Sequence, residues 1–123
     1  MEYNVLVAED SPTMRFFVSF GLKQIKNINV LEANDGIQAL NTLLKEKVDL
    51  VILDVNMPLM GGMDLLAKIR ENPKLKEVPV VLATTENNLR EKGSQLGATA
   101  FLSKPIRVND LHKIVKEILK IEA

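Results

Sequence analysis

No cysteine occurs in the 123 residues, so a disulfide framework and a thiolate metal site are both excluded. Net charge is missing as well. Sixteen basic residues balance sixteen acidic ones, which argues against a nucleic-acid surface and for a protein or small-ion partner. No apolar stretch approaches the ~20 residues that a membrane-spanning helix needs, so no membrane insertion is expected. Glu2 and Asn4 interrupt the start; no signal peptide is read there, and cytoplasmic residence is the expectation. There is no Gly-rich phosphate loop, no linker, no internal repeat and no low-complexity segment. A single domain over residues 1–123 follows, long enough to bury a core without staples.

What is present alternates. Strands are predicted over 4–8, 29–33, 50–53, 78–84 and 100–103, and helices over 12–26, 36–47, 63–72, 86–97 and 107–121. The first, third and fourth strand segments are nearly unbroken runs of Val, Ile, Leu and Ala, the mark of strands covered on both faces in a parallel sheet. Five such βα units in one domain imply a doubly wound α/β fold with five parallel strands and five helices. Ser11 before Pro12 reads as an N-cap and first helical residue, and Gly97 as a left-handed residue ending the fourth helix. In the first helix, Met14, Phe17, Val18, Gly21 and Ile25 are predicted to face inward, leaving Phe16 and Phe20 outward as a candidate docking pair. The fourth helix has only Leu89 and Leu96 to anchor it, so it is expected to be among the least stable elements. The lone histidine, His112, falls among Leu111, Ile114 and Val115 and reads as packing.

The chemistry gathers where the apolar runs stop. Glu9 and Asp10 follow the first run, Asp54 closes the third, Thr84 closes the fourth, and Lys104 follows the fifth, before Pro105. In an open parallel sheet that rim is where ligands bind. Three carboxylates brought together repel one another and need a cation. Oxygen ligands with no His or Cys select a hard ion, and Mg²⁺ is the natural choice. An aspartate can attack phosphorus to give an acyl phosphate. Asp54, the single acid on the central strand, suits that role, with Lys104 and the Thr84 hydroxyl left to meet the phosphoryl oxygens.

Glu9-Asp10-Ser11, then Asp54-Val-Asn-Met-Pro-Leu-Met-Gly-Gly62, then Ala83-Thr84, then Lys104-Pro105 resembles the response-regulator receiver family, and most closely its single-domain, chemotaxis (CheY-like) members. Gaps of 44, 30 and 20 residues separate Asp10, Asp54, Thr84 and Lys104, in the family's order and range. The resemblance implies a flavodoxin-like strand order 2-1-3-4-5. It also implies that Asp54 is the phosphoacceptor and that Asp10, Asp54 and the backbone carbonyl of Asn56 ligate Mg²⁺. Glu9, where Asp is frequent, would act through a metal-bound water. Lys104 would bind the phosphoryl group, the Lys104–Pro105 bond would be cis, and Thr84 would move toward the phosphoryl oxygens on activation. Phe101 occupies the aromatic switch position, where Tyr is frequent. Phe keeps a rotamer switch but gives up any hydroxyl bond to a target. Asn56 and Glu86 sit where the family tunes loss of the phosphoryl group.

By the same resemblance, the phosphodonor is a histidine kinase, the output is a target protein bound on the face made by the fourth helix, fifth strand and fifth helix, and a separate phosphatase is conceivable. If Ala123 ends the protein, output is expected through a protein contact rather than a tethered DNA-binding domain. Catalysis would be limited to the chain's own phosphorylation and dephosphorylation. An aspartyl-phosphate hydrolase of the haloacid-dehalogenase type needs a second Asp as general acid, where this chain has Asn56. Flavin or nucleotide binding meets an acidic first loop that would repel phosphate. A pseudo-receiver acting only as an interaction module would usually lack the acceptor or the Lys, and both are present.

Overall fold

Along each central strand the side chains alternate between two cores. Leu6 and Ala8, Val51 and Leu53, and Val80 and Leu82 pack on one face of the sheet; Val5 and Val7, Leu50 and Ile52, and Val81 and Ala83 pack on the other. Two-sided burial explains why these runs lack polar interruptions. The computed structural model describes residues 2–121. In chain order the elements are β1 (Tyr3–Ala8), α1 (Pro12–Lys23), β2 (Ile28–Ala33), α2 (Gly36–Lys45), β3 (Leu50–Asp54), α3 (Gly62–Glu71), β4 (Val80–Thr84), α4 (Arg90–Gln95), β5 (Ala100–Ser103) and α5 (Val108–Leu119). A single 3₁₀ turn, Asn87–Leu89, precedes α4. All strand pairs are parallel and the order is β2-β1-β3-β4-β5, the flavodoxin-like topology. Among the described residues, no helix is long and apolar enough to cross a membrane.

Several ends differ from the sequence pattern for local reasons. β4 begins at Val80 rather than 78 because Pro79 has no N–H to give the ladder, and the Val78 N–H turns back to the Leu75 carbonyl at 3.0 Å. The fourth helix is the most shortened: no side chain caps its start, and the first three residues of its predicted span that turn do so as the 3₁₀ segment. Its end matches expectation. Gly97 has φ +99°, its N–H bonds to the Ser94 carbonyl, and the Ala98 N–H bonds to the Gly93 carbonyl, which together form a Schellman motif. Ser11 caps α1 through a bond from the Met14 N–H to its Oγ at 3.3 Å.

One inward assignment in α1 is wrong. The buried stripe runs through Val18, Gly21, Leu22 and Ile25, whereas Phe17 is 42% exposed. Gly21 already faces Val108, the first residue of α5. Phe17 lies one turn earlier, about 6 Å up the axis, where α5 has barely begun. His112 is half-buried, and its Nε2 lies 2.7 Å from the Gly21 carbonyl; because a carbonyl only accepts, that nitrogen carries the proton and ties α5 to α1.

Arg70 performs a similar tie on the opposite face. Its Nε donates to the Gly97 carbonyl at 2.9 Å, and its Nη1 donates to the carbonyls of Val78 at 2.6 Å and Lys76 at 3.2 Å. One guanidinium thus joins α3 to the loop before β4 and to the loop before β5. Arg70→Ala strands those carbonyls, and urea unfolding should show a loss of about 2 kcal/mol; a loss within error of zero would mean that water replaces the guanidinium freely.

Candidate functional site

β1 and β3 are hydrogen-bonded neighbours, with Ala8 beside Leu53, so the residues after Ala8 meet Asp54 across the point where the strand order reverses. β4 and β5 follow in register, with Asp54 beside Ala83 and Thr84 beside Ser103. The C-terminal ends of four strands therefore deliver Glu9, Asp10, Asp54, Thr84 and Lys104 to one rim of the sheet. The close approach behind Asp54 depends on a missing side chain. A Cβ on Gly62 would collide with the Asp54 carbonyl oxygen, so only glycine lets α3 start directly against β3.

Within the rim the charges are tightly arranged. Carboxylate oxygens of Glu9, Asp10 and Asp54 all lie within 4.8 Å of one another. Glu9 and Asp54 are buried, each 4% exposed, while Asp10 is open to solvent. Lys104 Nζ sits between the two buried acids, 2.8 Å from Asp54 Oδ1 and 3.0 Å from Glu9 Oε1. Burial pulls the Lys104 ammonium down, but the Asp54 and Glu9 carboxylates outweigh it and raise it above its ordinary value. Glu9 is held at every polar atom beyond its amide: Oε2 accepts the Ser11 N–H at 3.1 Å, and its carbonyl accepts Arg15 Nη1 at 2.8 Å. Arg15 is itself fixed by Glu32 on β2, Nε to Oε1 at 3.0 Å.

Asp54 Oδ1 is different. It is buried, it meets Lys104 as an ion pair without hydrogen-bond alignment, and no other donor among the described residues is aimed at it. Three carboxylates against one ammonium leave two negative charges uncompensated, the complement of a divalent cation. Oxygen donors of this kind suit a hard ion.

The remaining predicted residues take distinct places. Thr84 is buried at the end of β4, and its Oγ1 accepts the Glu86 N–H at 3.0 Å, leaving its own O–H free to donate. The Lys104 N–H bonds to the Thr84 carbonyl at 3.0 Å, and the Lys104–Pro105 peptide is cis. Asn56 and Glu86 are exposed, each two residues past a strand end. Phe101 lies partly buried against the core rather than in the acid cluster. Phe16 and Phe20 stand outward on α1, 70% and 57% exposed, with ring centroids 6.1 Å apart. Two exposed apolar residues were not foreseen as such, Phe17 because it was assigned inward and Leu59 because it was not singled out. Phe17 extends the outward aromatic patch. Leu59, in the loop between β3 and α3, is 77% exposed with φ +67°, a conformation bulky residues rarely adopt. The Phe-Phe pair at 16–17 was a usable signal for the first; nothing in the local sequence marked the second.

Burial pushes the Glu9 carboxyl above its usual value of 4.5, and the Asp54 charge adds to the push; Lys104 and the Ser11 N–H counter it only in part. A raised folded value means that Glu9 favours folding when protonated, below its unfolded value, and that this contribution is lost as pH climbs from there through the folded value. Glu9→Gln removes that titration. In EDTA, the stability of the variant relative to the parent should therefore rise between pH 4 and pH 7 in urea titrations, and a constant difference would contradict the raised value.

Relatives of this chain span nearly its whole length. The family described as the response regulator receiver domain matches residues 5–116. Chemotaxis protein CheY-3 of Vibrio cholerae is 35% identical over 118 residues, covering 94% of this chain and 91% of that protein. A probable transcriptional regulator, ycf29, of Pyropia yezoensis is 32% identical over 121 residues, of which this chain spans 54% of the length. The solved structure of the chemotaxis response regulator CheY4 of Vibrio cholerae superposes with a TM-score of 0.89 at 32% identity, covering 96% of this chain and 99% of that one. With its acid cluster at the C-terminal rim of a 2-1-3-4-5 sheet and these relatives across nearly its whole length, the chain belongs to the response-regulator receiver domain family of two-component signalling.

Proposed function

We propose that residues 1–123 form a phosphoacceptor domain, phosphorylated on Asp54 by the phosphohistidine of a histidine kinase in a Mg²⁺-dependent reaction. The observation that carries the reading is Lys104 Nζ held 2.8 Å from Asp54 Oδ1, with two further carboxylates in the same cluster. Asp10, Asp54 and the backbone carbonyl of Asn56 would hold the ion, with Glu9 reaching it through water. Asp54 Oδ1, which has an ion pair but no aligned hydrogen bond, and the uncompensated charge both fit such an ion. When bound, Mg²⁺ supplies positive charge opposite the phosphoryl oxygens.

The residues divide the work. An Asp54 carboxylate oxygen forms a bond to phosphorus as the phosphorus–nitrogen bond to the kinase imidazole breaks, and the imidazole leaves with the electron pair. Lys104, already at the site as a cation, neutralises charge on the transferred group. The free O–H of Thr84 donates to another phosphoryl oxygen, which requires Thr84 to swing toward Asp54. Later, water attacks phosphorus, regenerates the Asp54 carboxylate and releases inorganic phosphate. Asn56 and Glu86 flank the path of that water and set its access. No external substrate is turned over.

Output would run through Phe101 and the α4–β5–α5 face. Movement of Thr84 changes the room available to the Phe101 ring, and a target protein reads the altered surface. A decisive shift needs on the order of 5 kcal/mol of differential interaction, within reach of a few charge-assisted bonds to phosphate. The balanced composition and the absence of a membrane-spanning helix among the described residues fit a cytoplasmic module between two protein partners, with a separate phosphatase as a third. The stacked Phe16 and Phe20, with Phe17 beside them, form the kinase-docking patch.

Intact mass after incubation with acetyl phosphate should show one added phosphoryl group that requires both Mg²⁺ and Asp54. An adduct that survives in Asp54→Asn would reject the assignment. Ala at both Phe16 and Phe20 should slow transfer from the kinase about tenfold while leaving acetyl phosphate labelling intact; equal loss of both rates would sink the docking role.

A further inference from the structure

Of the three clustered acids, Asp10 alone has a carboxylate open to solvent, and among the described residues no hydrogen bond or ion pair holds it. Lys104 serves Glu9 and Asp54, and the Ser11 N–H serves Glu9. The direction in which the Asp10 side chain leaves its loop therefore depends on its backbone, above all on the peptide that joins it to Glu9. That peptide is gripped. The Glu9 carbonyl accepts Arg15 Nη1 at 2.8 Å, and Arg15 Nε donates to Glu32 Oε1 at 3.0 Å. The Arg15 side chain is only 20% exposed. Glu32 stands beside Val7 in the pairing of β2 with β1, on the same face as Val30, which packs in the core beneath α1. One guanidinium thus spans from the edge strand to the carbonyl directly before Asp10.

We propose that Arg15 and Glu32 set the cation affinity of the rim by fixing the Glu9–Asp10 peptide. Glu32 aims the guanidinium, and the guanidinium holds the carbonyl so that the Asp10 carboxylate stays turned toward Asp54. The proposal rests on the Mg²⁺ reading of the acid cluster. Arginine suits the task because its planar fork offers separate N–H groups at Nε and Nη1, so one side chain serves a carboxylate and a carbonyl together. A carboxylate aimed beforehand loses less freedom when a cation arrives. Outer partners that orient a metal ligand in this way are worth about ten- to a hundredfold in affinity. Charge alone would work the other way: a guanidinium beside the cluster repels a cation, and the Glu32 carboxylate attracts one. The sign of the effect therefore separates aim from charge. Arg15 and Glu32 both act through Asp10 and are positioning residues.

Calorimetric titration of the metal-free protein with MgCl₂ tests this without any turnover. Arg15→Ala should bind Mg²⁺ about tenfold more weakly. Equal or tighter binding, which loss of a positive charge alone would give, would overturn the proposal. Glu32 is exposed on the edge strand, so its variants should fold. Glu32→Gln keeps an oxygen that can accept from Arg15 Nε and should stay close to the parent. Glu32→Ala has the same charge but no acceptor, and should bind about threefold more weakly than Glu32→Gln; matching affinities in this pair would overturn the role of Glu32. Without metal, the Asp10 amide ¹⁵N resonance, which responds to a hydrogen bond on the carbonyl before it, should move in Arg15→Ala and Glu32→Ala and hold in Glu32→Gln. Parent protein that takes up no Mg²⁺ would reject the metal reading instead, while these metal-free resonances would still decide whether Arg15 and Glu32 hold the peptide.

Discussion

Two buried carboxylates at adjacent strand ends are the constraint on which the rest of this molecule turns. Glu9 and Asp54 are almost wholly withdrawn from water, and burying like charges together is costly unless opposite charge is built in beside them. Lys104 provides that charge from a strand three positions across the sheet from β1. The compensation is incomplete, and the incompleteness is useful: an acid cluster left short of positive charge, with a carboxylate oxygen that has no aligned hydrogen bond, is primed to accept a cation and then a phosphoryl group under the proposed function. A fully neutralised rim would be more stable and chemically inert.

The framework behind the cluster is correspondingly rigid. Residues on both faces of β1, β3 and β4 are buried, so the strand ends that carry Asp54 and Thr84 are held by packing on each side. Gly62 brings the start of α3 directly against the Asp54 backbone. Arg15 and Arg70 fasten loops by bonding to carbonyl oxygens rather than to exposed acids alone, which fixes backbone position as well as charge. Rigidity falls away toward α4, which is short, weakly buried and preceded by an uncapped 3₁₀ turn. Under the proposed function, a stiff rim beside a thinly held α4 suits a switch, since coupling would act where the structure yields most easily.

Much of this was legible in the chain. The apolar runs of β1, β3 and β4 announced two-sided burial, and their polar terminators named the site, because a parallel sheet must deliver consecutive strand ends to one rim. Ser11-Pro12 and Gly97 marked helix ends through backbone chemistry that is local by nature. The failures have equally physical causes. Phe17 was assigned inward because helical period cannot tell how far a neighbouring helix extends along the axis. The fourth helix was drawn too long because its polar sequence left its start undetermined, and packing settled it.

Composition, periodicity and the order of the polar residues determined by themselves the α/β class, the five βα units and the acid, hydroxyl and amine set at the strand ends, because these follow from local backbone preference and the direction of the chain. Only the tertiary structure decided that Lys104 stands between Glu9 and Asp54 and that Asp54 Oδ1 lacks an aligned donor. Those are distances of a few ångströms between residues far apart in the chain. They are set by sheet register and by the space that Gly62 leaves open, and no local pattern encodes them.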